Sequence, residues 1–190
     1  MSLISSISAS QISYLSTTQI RDLSTADIRL LSTAQIAQMT SAQVAAIETA
    51  DIAAISAAAA GGLSTQFVSA LTSTQVQALD KTQLGGMTSK QIQAIETADL
   101  AKMSTAQLAQ LRADQVGQLT TSQLNNLSSN QLQSLAGKQL TSLTTAQMNS
   151  LSTGNLALLN SSQVSALSAN QLNALGTSQI GRRRVGKECL

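Results

Sequence analysis

Eight residues, repeated without a break, limit what this chain can become. Between Ile7 and Arg182 the unit seen cleanly as Leu31-Ser32-Thr33-Ala34-Gln35-Ile36-Ala37-Gln38 recurs twenty-two times, with no insertion or deletion. Its first position is apolar in all twenty-two octads, from Ile7 to Leu175, and its sixth is Ile, Leu, Val or Met everywhere except at Ala60. Position two is Ser, Thr, Asp or Asn seventeen times, and position five is Gln sixteen times. A pattern this uniform says much about architecture and little about activity.

The octad encodes a helix start. The first N–H groups of a helix need acceptors, and a Ser or Thr followed three residues later by Gln or Glu supplies them reciprocally. Ser16/Gln19, Ser32/Gln35, Ser104/Gln107 and Ser128/Gln131 have that spacing. The residue before such a cap packs on the one four places after it, and Leu31 and Ile36 occupy those places. Helices are therefore expected to begin near position three of each octad. Positions one and six should form the buried rows, and Gln at position five should tolerate Glu, as at Gln123, because Glu also completes a capping box.

The helices must also be short. At about 100° per residue, eight residues carry an apolar stripe roughly 80° beyond two turns. One continuous helix would thus expose its apolar positions all round, which excludes a long coiled coil. Helices of about six residues do not stand alone in water, so each octad must stack on others. The expectation is an all-α elongated solenoid of short capped helices, one per eight-residue repeat, over residues 1–182. A β-solenoid with Gln and Ser/Thr ladders is the alternative. The Leu, Ala, Gln and Met content favours helix, whereas strands are richer in β-branched and aromatic residues.

Irregularities bear on the coil. Residues 55–62, Ile55-Ser56-Ala57-Ala58-Ala59-Ala60-Gly61-Gly62, lack both the Gln and a large sixth residue, and Phe67 then stands where Gln is usual. A local packing adjustment, with Phe67 filling space left by Ala60, is the expected explanation, ahead of a hinge or notch. Gly61-Gly62 and Gly85-Gly86 lie three octads apart, which hints at three octads per coil. Two per coil, a stack of αα-hairpins, is the other arrangement. Met39-Thr40 and Ile47-Glu48-Thr49-Ala50-Asp51 recur six octads later as Met87-Thr88 and Ile95-Glu96-Thr97-Ala98-Asp99, as expected from duplication of a six-octad block.

Composition removes most chemistry. There is no His, no Pro and no Trp, and the aromatic residues are Tyr14 and Phe67. Without His, the usual Ser triad or Cys–His pair lacks its base, and the single Cys189 makes neither a zinc site nor an internal disulfide. No phosphate loop, dinucleotide fingerprint or EF-hand loop occurs. The chain is thus read as no enzyme, with no catalytic, cofactor-binding or metal residues and no cofactor. The acidic pairs Glu48/Asp51 and Glu96/Asp99 are expected at helix N-termini, complementing the dipole, rather than as calcium ligands.

The net charge of +2 comes from the tail: without residues 182–190, seven basic residues face eight acidic ones. Such a body has no nucleic-acid footprint. No stretch of eighteen apolar residues gives a transmembrane span, and the N-terminus lacks the basic and apolar regions of a secretory signal. Arg183 falls where every earlier octad is apolar, so 183–190 is assigned as a basic C-terminal tail.

The octad resembles the L-[TS]-x-x-Q-[ILV]-x-x tracts of very large bacterial surface and exported adhesin-like proteins, some labelled as haem-utilisation or adhesion proteins. The resemblance covers residues 7–182, although those tracts often carry Pro or Glu just after the cap and this chain has no Pro. It implies an extracellular or cell-surface spacer or fibre segment. It brings no haem ligand, since there is no His.

The leading expectation is therefore a structural repeat protein: a rod-like spacer, stalk or self-assembling filament subunit of a bacterial surface assembly, associating end to end or with a cell-surface or protein partner. The alternative is a binding module that presents Ser/Thr rows such as Ser24-Thr25, Ser32-Thr33 and Ser152-Thr153 to a glycan, ice or a protein ligand. Position-two hydroxyls are engaged in caps in that scheme, leaving those of position three to face outward.

Overall fold

The computed structural model describes residues 4–175. Every α-helix among them begins at position three of its octad and runs for four to six residues. Position two is the N-cap, with extended backbone, and its side chain usually accepts from the N–H at position five: Ser32 from Gln35, Thr72 from Gln75, Asp80 from Gln83. The helix closes with a tight bond from the N–H of the next position one to the carbonyl of position six, as from Leu31 to Ile28 at 3.2 Å. No described residue lies in a strand, so the helical expectation holds and the β-solenoid is set aside.

The chain divides into two compact units, Met1–Met103 and Ser104–Leu190. The first opens with two 3-10 turns, Ile4–Ser6 and Ala9–Tyr14, followed by α1 (Thr17–Arg21), α2 (Thr25–Leu30), α3 (Thr33–Ile36) and α4 (Ser41–Ala46). It continues with α5 (Thr49–Ile52), α6 (Ala57–Gly61), α7 (Thr65–Ser69), α8 (Ser73–Ala78), α9 (Lys81–Gly86), α10 (Ser89–Gln93) and α11 (Thr97–Leu100). The second unit holds α12 (Thr105–Gln110), α13 (Ala113–Gly117), α14 (Thr121–Asn125), α15 (Ser129–Ser134) and α16 (Gly137–Thr141). It ends with α17 (Thr145–Ser150), α18 (Thr153–Ala157), α19 (Ser161–Ala166) and α20 (Ala169–Ala174). The basic tail assigned to 183–190 lies outside the described residues.

Within each unit a helix packs on the helix three places along. α1 meets α4, α4 meets α7 and α7 meets α10, while α5 meets α8 and α8 meets α11. In the second unit α12 meets α15, and α13, α16 and α19 form a column. A coil is therefore three octads, and the hairpin stack with two octads per coil is excluded. Each unit is an all-α repeat solenoid in which coils touch their neighbours.

The core is the two apolar rows. From Leu23 to Leu159 every position-one residue is buried, and every position-six residue from Ile12 to Leu156 is buried too, many with no exposed surface at all. These positions meet on the inner side of the helix because they flank it: one precedes the cap and the other lies in the last turn. Ile4 serves as a sixth-position residue and is 1% exposed, so the N-terminal turn already belongs to the core. No described helix is long and apolar enough to cross a membrane.

The weak octad at 55–62 is a site of close approach. A Cβ built on Gly61 would lie 2.7 Å from the Gly86 carbonyl oxygen, and one on Gly86 2.5 Å from that of Ala57. Backbone of α6 and α9 thus packs directly on backbone, which at Gly61 and Gly86 only glycine permits. Phe67, 2% exposed, is absorbed into the core.

Candidate functional site

The recurring polar chemistry sits at the corners between octads, and its centre is the position-five glutamine. Its Oε1 accepts from the N–H of its own N-cap residue, as in Asp80 N–H to Gln83 at 2.9 Å. Its Nε2 donates backwards to two carbonyls of the preceding coil. Gln83 reaches the carbonyl of Ile52 at 2.7 Å and that of Ile55 at 2.7 Å, which lie 31 and 28 residues earlier. Gln75 makes the same pair of bonds to Val44 and Ile47, Gln139 to Leu108 and Leu111, and Gln171 to Leu140 and Leu143. Those acceptors are the position-six carbonyl, which also takes the closing backbone bond from the next position-one N–H, and the position-one carbonyl just beyond the helix end. One amide therefore completes the start of its own helix and the end of a helix one coil earlier.

This geometry corrects the expectation for position five. Gln123 is 2% exposed, and among the described residues the other glutamines of the row from Gln35 onward are also buried apart from Gln147. Where the clamp is made, as at Gln83, Glu would complete the capping box yet bring no amide hydrogen to the carbonyls below, so the exchange there is not mild. The sequence signal for this second role was the near-exclusive use of Gln over Glu. At Arg112 and Ala136, whose side chains make no cap bond, Gln115 and Gln139 still accept from the cap N–H at 2.7 and 2.6 Å.

Three octads carry a carboxylate at position five, Asp27, Asp51 and Asp99, and at the two buried ones the coil below adapts. Asp51 and Asp99 are buried at position five. With no hydrogen to donate, Asp51 accepts instead from the Thr25 hydroxyl at 2.8 Å, and Asp99 from the Ser73 hydroxyl, each donor lying 26 residues earlier. The acidic pairs thus sit at helix N-termini as expected, but Glu48 and Glu96 make no side-chain cap bond. Among the described residues no group of three or more His, Cys, Asp or Glu gathers as a metal site. Thr25 and Ser73 also depart from the outward-facing hydroxyl row, because their hydroxyls are committed to the neighbouring coil.

A second ladder, unforeseen in the sequence, joins position seven to the position-eight carbonyl of the next coil. Gln77 donates to the Lys102 carbonyl at 2.9 Å and Gln133 to that of Leu158 at 3.0 Å, each 25 residues on. Asn125 donates to the Ser150 carbonyl at 3.0 Å, and its oxygen accepts from the Ser152 N–H at 2.9 Å. That second bond serves an octad whose position-five residue is the shorter Asn155, reaching its carbonyls only at 3.4 and 3.5 Å. At the position-seven glycines Gly61 and Gly117 the contact is direct: a Cβ on Gly117 would stand 2.8 Å from the Ser142 carbonyl oxygen.

Charge plays a minor part. The Asp80 carboxyl titrates below the usual range, because the Thr82 hydroxyl and then the Gln83 N–H bond to it. The Arg112 guanidinium is held charged by its exposed bond to Asp114 at 3.0 Å.

These corners repeat over a longer block as well, since the Thr25–Asp51 and Ser73–Asp99 pairs are six octads apart. The ALTTAQ repeat family matches the chain twice. The matches cover residues 44–81 and 92–129, and they too are six octads apart, which is two coils. The ALTTAQ matches therefore mark a repeat tract in register with the solenoid. No curated protein matches the chain.

Proposed function

We infer that this structural repeat protein works as a spacer, stalk or filament subunit of a bacterial surface assembly, outside the cell, with no catalytic role. The observation that carries the reading is where the recurring polar groups go. Position two caps its helix and position five clamps the preceding coil, while position seven reaches forward to the next. Chemistry devoted to repeating one contact suits a part whose length is its function. The binding-module alternative is weakened by Thr25 and Ser73, whose hydroxyls are tied to Asp51 and Asp99.

Solution scattering on the chain and on a variant lacking residues 63–86 tests this. Loss of one coil should shorten the longest dimension by about 10 Å, the spacing of packed helices, with the helical signal per residue unchanged. A particle whose longest dimension ignored the deletion would contradict the spacer reading.

A further inference from the structure

We propose that the first unit contains a built-in opening joint, one full turn without amide clamps, with α2, α3 and α4 on one side and α5, α6 and α7 on the other. On both flanks of this turn the clamps are in place. Gln35 holds the carbonyls of Ile4 and Ile7, and Gln43 those of Ile12 and Leu15, so α3 and α4 are tied to the turns before them. Gln75, Gln83 and Gln91 likewise hold the corners from Val44 to Leu63. The three corners in between, Ile20–Leu23, Ile28–Leu31 and Ile36–Met39, fall to Asp51, Ala59 and Phe67 at position five. None of these side chains has a hydrogen to donate to a carbonyl. Asp51 takes the Thr25 hydroxyl at 2.8 Å instead, Ala59 ends at its Cβ, and Phe67 contributes apolar bulk to the core.

Packing loosens at the same turn, which is an observation separate from the hydrogen bonds. Across it, α2 with α5 and α4 with α7 are the most loosely stacked helix pairs of the unit, and α3 approaches α6 less still. On its other side α6 lies in close contact with α9. The middle helix of the joint also carries Ala60 in place of a large position-six side chain. A coil of a solenoid is held by its neighbours alone, so local opening concentrates at the poorest joint. Here that joint lies between two clamped blocks. The chain stays continuous through Ala46 and Ile47, beside the Gln75 clamp on Val44 and Ile47, so the turn opens as a hinge.

The test is hydrogen exchange on the full chain, read as protection at the amides that close each corner. Those of Leu23, Leu31 and Met39 bond to the carbonyls of Ile20, Ile28 and Ile36, as those of Ile55 and Leu63 bond to Ile52 and Ala60. The backbone bond is thus the same in both sets, and the clamp differs. The three joint amides should be protected at least about tenfold less than those of Ile55 and Leu63. Ala59→Gln supplies an amide to the Ile28–Leu31 corner and should slow exchange at Leu31 about tenfold. Gly85→Ala, a change in α9 away from the joint, should leave the ratio of Leu31 to Ile55 as it was. Gln83→Ala is the reverse experiment and should bring Ile55 to the level of Leu31, which keeps the test decisive if the longer side chain at 59 does not fit. Equal protection in the two sets of amides would overturn the proposal, as would an unmoved Leu31 in Ala59→Gln together with an unmoved Ile55 in Gln83→Ala. The inference stands on the fold, so either result leaves the coil-deletion scattering free to report on the spacer reading.

Discussion

At Gln83, Gln and Glu differ only in what they can donate, which isolates the clamp from the cap. Gln83→Glu should leave the Asp80 N–H accepted but remove both bonds to Ile52 and Ile55. The Ile52 carbonyl keeps its backbone bond from the Ile55 N–H, so only the Ile55 carbonyl is stranded, at about 1–3 kcal/mol, and thermal or urea unfolding should reveal a loss of about that size. The same exchange at exposed Gln19 should cost under about 0.5 kcal/mol. Burial raises the introduced carboxyl above its unfolded value of about 4.3. Its neutral form is then favoured, so the penalty should be smallest in acid and grow as pH climbs from about 4.3 through the folded value. The parent's Asp80 has the opposite sign: its lowered carboxyl helps above about pH 3.9, and that help fades as pH falls through the folded value. A pH series of melting curves on parent and variant separates the two. Asp51→Gln, in turn, should gain about 1 kcal/mol by restoring the usual clamp residue.

The cap, the box, the staple and the two apolar rows were legible in the octad because they are local: each joins residues at most five apart. The clamp was not, since the capping box already accounts for the glutamine oxygen and hides the need for its nitrogen. The hydroxyl partners of Asp51 and Asp99 and the reach of Gln77 and Gln133 span 25 or 26 residues. Such pairings become visible only once the number of octads per coil is known. The three-octad spacing of the glycine pairs held that number faintly.

Helices in this protein meet through backbone as well as side chains, and the glycines of α9 separate the two cases. Gly85 has nothing within 4 Å of a built Cβ, whereas Gly86 would bring one to 2.5 Å from the Ala57 carbonyl oxygen. Gly85→Ala should therefore stabilise the chain by about 0.5–1 kcal/mol, the ordinary helix-interior gain. Gly86→Ala should lose about 1–3 kcal/mol through overpacking against α6. Chemical denaturation of the two single variants checks this; equal effects would mean that α6 and α9 are not in close contact.

At the scale of the whole molecule, the account stands or falls on three octads per coil, because the clamp, the hydroxyl–carboxylate pairs and the position-seven ladder all follow from that count. Spin labels on exposed Ala34, Ala50 and Ala58, placed two at a time as cysteines in a chain carrying Cys189→Ser, measure it directly. Ala34 and Ala58 are three octads apart, and Ala34 and Ala50 are two octads apart. The account predicts strong dipolar broadening for the three-octad pair, whose helices stack at about 8–10 Å, and clearly weaker broadening for the two-octad pair. The reverse order would put two octads in each coil and contradict the architecture described here.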